Sequence, residues 1–118
     1  MNNEEYVLIP LSIFESKEWA EKREFSKAEA WIWLLVNANR TNKDLQVIAG
    51  KNTICVKFGQ IHITNRTLAD IWGWSSSSVN RYIDKLVIEG RVEKVNMDNK
   101  LGTLIHICGF EQYFDIED

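Results

Sequence analysis

Residues 64–95 read TNRTLADIWGWSSSSVNRYIDKLVIEGRVEKV and predict two helices joined by a short turn. Thr64 and Asn65 suit the N-cap of a helix over about 65–72, because a side-chain oxygen at that position accepts a backbone N–H of the first turn. Gly73 then breaks the helix, since glycine readily leaves the helical conformation. The apolar face of this helix consists of Leu68, Ala69 and Trp72.

A longer helix is predicted over about 76–89. Ser75 is its N-cap, and Gly90 lies at its C-terminal end, where a left-handed residue is favoured. The apolar stripe that is expected to face the core consists of Val79, Ile83, Leu86 and Val87. The opposite, solvent-facing side holds Ser76, Ser77, Asn80, Arg81, Asp84 and Lys85.

The flanking sequence predicts a further helix and several strands. Ser26 followed three residues later by Glu29 is a capping box, which predicts a helix over about 27–39. Two β-branched runs around a turn at Gly50 predict a hairpin. The strands are expected at about 45–48, 53–57, 61–63, 91–95 and 103–107.

This order of elements is typical of a helix-turn-helix followed by a two-stranded wing. We therefore expect an α+β fold, a winged helix-turn-helix, formed as a single small domain by residues 1–118. Residues 1–25 are expected to form an N-terminal arm and a short helix, and residues 26–107 the helix-turn-helix core, the intervening β-hairpin and the wing. Residues 108–118 form an acidic tail.

The composition excludes several classes of protein. Of the 118 residues, 45% are hydrophobic and 26% charged, as in globular proteins. The longest apolar run, Trp31–Val36, is far shorter than the roughly 20 residues that cross a bilayer, and the polar start of the chain does not resemble a signal peptide. Cys55 and Cys108 lie in apolar runs without metal-ligand spacing, which predicts two reduced core thiols and a cytoplasmic location. We expect neither a membrane protein, nor a secreted disulfide scaffold, nor a large enzyme.

The charges are distributed unevenly, although the net charge is only −3. Residues 31–110 carry ten bases and six acids, whereas residues 1–30 carry four bases and seven acids. Residues 111–118 carry four acids and no base. A mildly basic centre between acidic ends is compatible with a nucleic-acid surface, but it is far from the strongly basic balance that would identify one by itself.

The solvent face of the predicted 76–89 helix is the candidate DNA-reading surface. At 1.5 Å per residue the helix is roughly 21 Å long, and a major groove about 12 Å wide admits it. Asn80 and Arg81 suit bidentate contacts with adenine and guanine, while serine hydroxyls and helix N-terminal N–H groups suit phosphate. The serines are equally compatible with capping and solvent contact. Charges such as Arg66 and Lys94, taken alone, are more often solvated surface, and only their placement around one motif makes them candidates. The candidate contacts with double-stranded DNA are Arg66, Ser75, Ser76, Ser77, Asn80, Arg81 and Lys85, together with Lys94, Asn96, Asn99 and Lys100 around the wing at 95–102.

Aromatic side chains are candidates for contacts with protein. Trp31 fits the apolar stripe of the 27–39 helix, and Trp72 and Trp74 are expected to pack the corner between the two later helices. Trp33 lies roughly 200° from Trp31 around the helix, so it either forms an interface or is covered by the N-terminal arm. The candidate interface residues of a homodimer are Tyr6, Trp33, Phe110, Tyr113 and Phe114, of which the last three alternatively dock on the 27–39 helix.

Four stretches of the chain resemble one family of replication proteins. They are REFSKAEAWI at 23–32, KFGQI at 57–61, LADIWGWSSSSVNR at 68–81, and LIHIC at 104–108 with Tyr113 after it. Together they extend the similarity over about residues 6–114. On these motifs the chain resembles the N-terminal winged-helix domain of DnaD-like and phage replisome-organiser proteins.

The resemblance implies a role in the initiation of DNA replication in a phage or mobile element. In that family the domain binds DNA or self-associates, and a helicase-loading region often follows it. Family members often have basic residues where this chain has Ser76, Ser78 and Asn80, and each lost phosphate contact weakens binding and flattens its salt dependence. The expected partners are therefore double-stranded DNA, bound more weakly than by such relatives, a second copy of the chain and other replication proteins.

Two other functions stay open at this point. The acidic ends, the serine-rich helix and Trp33 favour a protein–protein interaction or oligomerisation module, and the sequence does not distinguish a transcription regulator of the same fold. His62 and His106 lie in separate strand-like segments, and no nucleophile motif, phosphate loop or paired-carboxylate motif is found. We expect no enzymatic activity, no metal or other cofactor and no small-molecule substrate.

Overall fold

The computed structural model describes residues 5–96 and 102–114, and within them the fold is α+β. Short 3-10 helices span Leu11–Glu15 and Phe110–Gln112. The α-helices are α1 (Lys17–Ala20), α2 (Lys27–Asn37), α3 (Asn65–Trp72) and α4 (Ser76–Ile88). The strands are β1 (Leu45–Ala49), β2 (Asn52–Val56), β3 (Gln60–Ile63), β4 (Val92–Asn96) and β5 (Thr103–Ile107). None of these helices is long and apolar enough to cross a bilayer.

The start of α2 confirms the capping box read from the sequence. Ser26 Oγ accepts the backbone N–H of Glu29 at 3.1 Å, and the Glu29 carboxylate accepts the backbone N–H of Ser26 at 2.9 Å. The same carboxylate pairs with Arg23 at 2.8 Å. The Ser26 backbone N–H and the Arg23 guanidinium lower the pKa of Glu29. This corner fixes the entry of the chain into α2.

The end of α2 lies two residues earlier than the sequence pattern predicts. Ala38 already has extended backbone angles and closes the last turn by donating its N–H to the Leu34 carbonyl. Asn39 is buried and donates from Nδ2 to the carbonyls of Lys43 and Val56 at 2.9 and 3.0 Å. Because these hydrogen bonds tie Asn39 to the start and end of the hairpin, they compete with continuation of the helix.

The two sheets differ from the simple pattern of a hairpin and a two-stranded ribbon. β1 and β2 form the predicted hairpin as a separate antiparallel sheet. β4 and β5 pair as predicted, but β3 joins them in a three-stranded antiparallel sheet of order β3-β5-β4. Gln60 lies opposite His106, and Val92 lies opposite Ile107. β4 and β5 are therefore anchored through β3 to the segment that leads directly into α3.

The core lies between α2, α3, α4 and the inner face of the three-stranded sheet. Trp72 is at its centre and is fully buried. Its ring contacts those of Trp33, Trp74 and Tyr82, with centroids 6.2, 4.9 and 6.0 Å away. The other large, fully buried side chains are Leu34, Leu68, Val79, Leu86, Val92, Ile105, Ile107 and Phe110.

The buried face of α2 is centred on Ala30 and Leu34, and Trp31, which the sequence places in the apolar stripe, lies at its edge. Ala30 and Leu34 are buried, whereas Trp31 and Trp33 are both half-buried. Because residues four apart share a helix face, a face centred on Ala30 and Leu34 places Trp31 on one flank and Trp33 on the other. Trp33 therefore packs edge-on against Trp72, and the Arg91 guanidinium lies 4.1 Å from the centroid of Trp31.

The two cysteines are not core residues, contrary to the sequence prediction. Cys55 and Cys108 are both half-buried, and both thiols are free. Cys55 lies on β2, where alternate side chains point to opposite faces of the sheet, and its neighbours Ile54 and Val56 take the buried positions. Burial raises the pKa of both thiols. A raised pKa lowers the fraction of reactive thiolate.

Candidate nucleic-acid interface

α3 and α4 are joined by the three residues Gly73, Trp74 and Ser75. Gly73 has φ 69°, and a Cβ at this position would lie 2.8 Å from the carbonyl oxygen of Arg23, so the turn requires glycine. Trp74 Nε1 donates to the carbonyl of Phe25 at 2.8 Å. The turn is thus fixed both by its own conformation and by the segment that precedes α2.

α4 presents one face to the core and the other to solvent. Ser75 Oγ accepts the backbone N–H of Ser78 at 3.1 Å and caps the helix. The buried residues are Val79, Tyr82, Ile83 and Leu86, and Tyr82 rather than the predicted Val87 completes this stripe. Val87 lies about 100° further around the helix than Leu86 and is 38% exposed. The exposed side, which we call the α4 outer face, consists of Ser76, Ser77, Asn80, Arg81, Asp84 and Lys85.

The first half of the α4 outer face adjoins the start of α3. Asn65 Nδ2 donates to Asn80 Oδ1, which links the first turn of α3 to the second turn of α4. Arg66 is exposed in the same turn of α3. Arg81 donates to Ser78 Oγ at 3.2 Å. Amide, guanidinium and hydroxyl groups therefore lie side by side on one exposed surface, and these are the groups that contact base edges and phosphates.

Lys94 lies in the predicted strand but forms an ion pair that the sequence did not indicate. It lies on β4, and its Nζ is 2.8 Å from Asp84 Oδ1 on the α4 outer face. The contact satisfies both charges, because an ammonium group and a carboxylate at this distance form a charge-assisted hydrogen bond. Lys94 is therefore paired within the chain, and its contact with the DNA backbone stays a prediction.

The remaining wing candidates are only partly described. Asn96 is the last residue of β4 and pairs with Thr103 of β5, but nothing is described of its side chain. Asn99 and Lys100 lie outside the described residues. Their contacts with DNA stay predictions.

Among the described residues, the α4 outer face carries two cations and one anion. Arg81 and Lys85 lie on either side of Asp84 along the helix, and Asp84 is matched by Lys94. Arg66 adds a further exposed cation on α3. The surface is therefore basic but only weakly so, which suits an anionic partner bound with modest affinity.

The aromatic residues at the two ends of the described chain contact each other. Tyr6 donates from its hydroxyl to Gln112 Oε1 at 3.0 Å, and its ring meets that of Tyr113 edge-on at 6.5 Å. Tyr113 is 37% exposed and Tyr6 47%. Tyr6 of the N-terminal arm is thus docked on the C-terminal turn, whereas Leu11, further along the chain, lines the same cavity as Trp33.

Phe110 is a core residue, so its prediction as an interface residue is wrong. It is 1% exposed, and its ring lies 5.0 Å from Phe58 and 4.9 Å from Phe114, with which it stacks. Gly59 lies close against it, since a Cβ at that position would be 2.9 Å from Phe110 Cβ. Phe114 is half-buried by this contact. The aromatic cluster therefore closes the core within one chain.

A cleft between α2 and α4 brings together three basic residues, Lys27, Lys85 and Arg91. Its volume is about 400 Å³, and its lining includes Lys27, Trp31, Tyr82, Lys85, Glu89 and Arg91. Tyr82 donates from its hydroxyl to the carbonyl of Lys27 at 2.9 Å, and burial raises the pKa of Tyr82. No short-range signal connects Lys27 with Lys85 and Arg91, because Lys27 is far from both in the sequence and meets them only in the fold.

The described residues contain no cluster that resembles a metal site. No group of three His, Cys, Asp or Glu side chains within residues 5–96 and 102–114 is arranged to hold a metal ion. His62 lies on β3 and His106 on β5, and they are not opposite each other in the strand register. His106 Nδ1 is buried and has no hydrogen-bond partner among these residues.

Comparison of the chain with protein families, with curated proteins and with solved structures finds no match. The assignment of function therefore depends on the geometry of the α4 outer face and its neighbours.

Proposed function

We propose that this chain is a winged-helix domain that binds double-stranded DNA. In this proposal α3, the Gly73–Ser75 turn and α4 form a helix-turn-helix, and β4 and β5 form the wing. α4 enters the major groove, and the wing contacts the neighbouring backbone. The proposal depends on the amphipathic character of α4. Its polar outer face is exposed, and its opposite face is buried in the core.

The chemistry of the outer face supports this role. Asn80 and Arg81 have the side chains that read adenine and guanine edges in a major groove. Ser76 and Ser77 lie in the first turn of α4, where backbone N–H groups and hydroxyls favour phosphate. Lys85 and Arg66 are exposed on either side and supply backbone contacts. α4 has 13 residues and is therefore about 20 Å long, enough to follow the groove over several base pairs.

The resemblance to DnaD-like and phage replisome-organiser proteins supports a biological role for this binding. We propose that the chain acts in the initiation of replication of a phage or mobile element, in the cytoplasm, as a homodimer. The modest basic charge of the outer face supports binding that is weaker than in relatives with basic residues at the positions of Ser76, Ser78 and Asn80.

NMR mapping tests the proposed function directly. A uniformly ¹⁵N-labelled sample of this 13.8 kDa chain is titrated with a duplex of about 20 base pairs at about 50 mM salt. We expect the largest amide shift changes in residues 65–67 and 75–85. An absence of changes at tens of micromolar duplex, or changes confined to other surfaces, contradicts the proposal.

A protein-interaction module is the second candidate, because the N-terminal arm exposes apolar side chains. Val7 and Leu8 are 85% and 95% exposed, and Ile9 is 52% exposed. Contiguous exposed apolar residues are typical of protein contact sites. The same NMR samples without DNA test this candidate: shifts in residues 6–13 that grow with protein concentration support it, and spectra that do not change with concentration contradict it.

A further inference from the structure

Asp84 is the single carboxylate in α4, and it lies in the middle of the outer face. Asn80 and Arg81 precede it by four and three residues, so all three side chains share one face of the helix. The Asp84 side chain is 58% exposed. A carboxylate at this place opposes the approach of DNA phosphates, because like charges repel at short range.

Lys94 is held by this carboxylate and is turned toward α4. Its Nζ lies 2.8 Å from Asp84 Oδ1, and its side chain is only 24% exposed. β4, which carries Lys94, packs against α4. An ion pair with one partner this exposed contributes little to stability, since water screens it. Its main consequence is electrostatic: one wing cation is withdrawn from solvent, and one anion is placed on the outer face.

We propose that Asp84 is a specificity-determining residue that suppresses sequence-independent binding to DNA by engaging Lys94. This inference rests on the proposed function. Sequence-independent affinity rises with the number of phosphates that cations neutralise, so the Asp84–Lys94 pair lowers it. Contacts of Asn80 and Arg81 with base edges then supply a larger share of the total affinity. Discrimination of this kind depends on a repulsive group as much as on attractive ones.

A set of four variants tests the inference by fluorescence anisotropy on a labelled duplex of random sequence. Asp84→Asn removes the carboxylate, Lys94→Gln removes the cation, and the double variant removes both. Asp70→Asn is the matched control, because Asp70 is also an exposed carboxylate but lines the surface of α3 that faces Phe14 and Trp33. Thermal unfolding of each variant verifies that the fold is retained.

Asp84→Asn is expected to bind the duplex about three- to tenfold more tightly, the size of one unit-charge interaction at about 4 Å in water, because the Asp84 side chain is largely exposed. The slope of log K against log salt becomes steeper by about 0.9 for each additional phosphate contact. Lys94→Gln alone weakens binding, because it leaves the Asp84 carboxylate unpaired, but by a smaller factor than in the Asp84→Asn background, where it reverses most of the gain. Asp70→Asn changes affinity less than twofold.

Two results overturn the inference while the proposed function stands. One is that the wild-type chain binds the duplex, and that Asp84→Asn and Asp70→Asn bind it with the same affinity as each other. The other is a Lys94→Gln effect of equal size in the presence and absence of the Asp84 carboxylate, because the two residues are then not coupled. If neither the wild-type chain nor any folded variant binds the duplex, the proposed function fails, and this inference fails with it.

Discussion

Replacement of Arg81 and Lys85 together by alanine is expected to weaken binding to double-stranded DNA by about 2 kcal/mol or more, roughly 30-fold. Both side chains are exposed on the α4 outer face, one on each side of Asp84. A guanidinium group can read guanine, so part of the loss from Arg81→Ala is expected to depend on the base sequence of the duplex, whereas the loss from Lys85→Ala is expected to be independent of sequence, as for a backbone contact. Anisotropy titration on duplexes of several sequences measures both effects.

The control for this double variant is Lys22→Ala combined with Lys51→Ala. Lys22 follows α1, and Lys51 lies in the turn of the β1–β2 hairpin, so the control removes the same charge from exposed positions outside α3 and α4. We expect the affinity of the control for the duplex to be within about twofold of the wild-type affinity. In both double variants, each substitution is expected to change the free energy of unfolding by less than about 0.5 kcal/mol. Equal weakening by the two double variants would show that net charge, rather than the outer face, governs binding.

Trp72→Ala is expected to lower the free energy of unfolding by about 3–5 kcal/mol. The side chain is fully buried and contacts the rings of Trp33, Trp74 and Tyr82, so its removal leaves a large cavity between α2, α3 and α4. Small domains are stable by only about 5–15 kcal/mol, and the variant is therefore expected to be marginally folded. Urea unfolding followed by circular dichroism measures the change.

The neighbouring residue supplies the comparison for Trp72. Ile71 follows directly before it in α3 but is 36% exposed, and Ile71→Ala is expected to cost less than about 1.5 kcal/mol because little buried area is lost. Trp72→Phe keeps an aromatic ring, and its loss in the free energy of unfolding is expected to lie between those of the two alanine variants. A loss for Trp72→Ala no larger than that for Ile71→Ala would contradict the central place of Trp72 in the core.

Local signals in the sequence predicted most element boundaries. The Ser26–Glu29 capping box, the caps at Thr64 and Ser75, and the glycines 73 and 90 each act through neighbouring backbone groups. Such signals are readable from a few adjacent residues, because the hydrogen bonds that they form span three or four positions.

Features that depend on contacts between distant segments were not predictable in the same way. The addition of β3 to β4 and β5 depends on the pairing of Gln60 with His106 across 46 positions. The burial of Phe110 depends on Phe58, and the phase of α2 depends on which of its flanks meets Trp72. Periodicity identifies an apolar face of α2, but it does not decide how far Trp31 and Trp33, which lie on the two flanks of that face, are buried.

The candidate site also combines features that local sequence predicts with features that depend on contacts between distant segments. The helical period identified the six residues of the α4 outer face, since exposure along one helix follows from spacing alone. The pairing of Lys94 with Asp84 joins a strand to a helix, and the cleft around Arg91 joins α2 to the end of α4. Whether a cation is paired within the chain therefore becomes visible only in the fold.

The most direct test of the central claim, that the α4 outer face and the residues beside it bind double-stranded DNA, is the salt dependence of wild-type binding to a duplex. Three exposed cations, Arg66, Arg81 and Lys85, lie on or beside this face. Neutralisation of about two to three phosphates, depending on whether Arg81 contacts a base or the backbone, predicts binding in the micromolar range at about 50 mM salt, with a slope of log K against log salt of roughly −2 to −3. No binding at tens of micromolar duplex at low salt, or affinity that does not change with salt, would contradict the account.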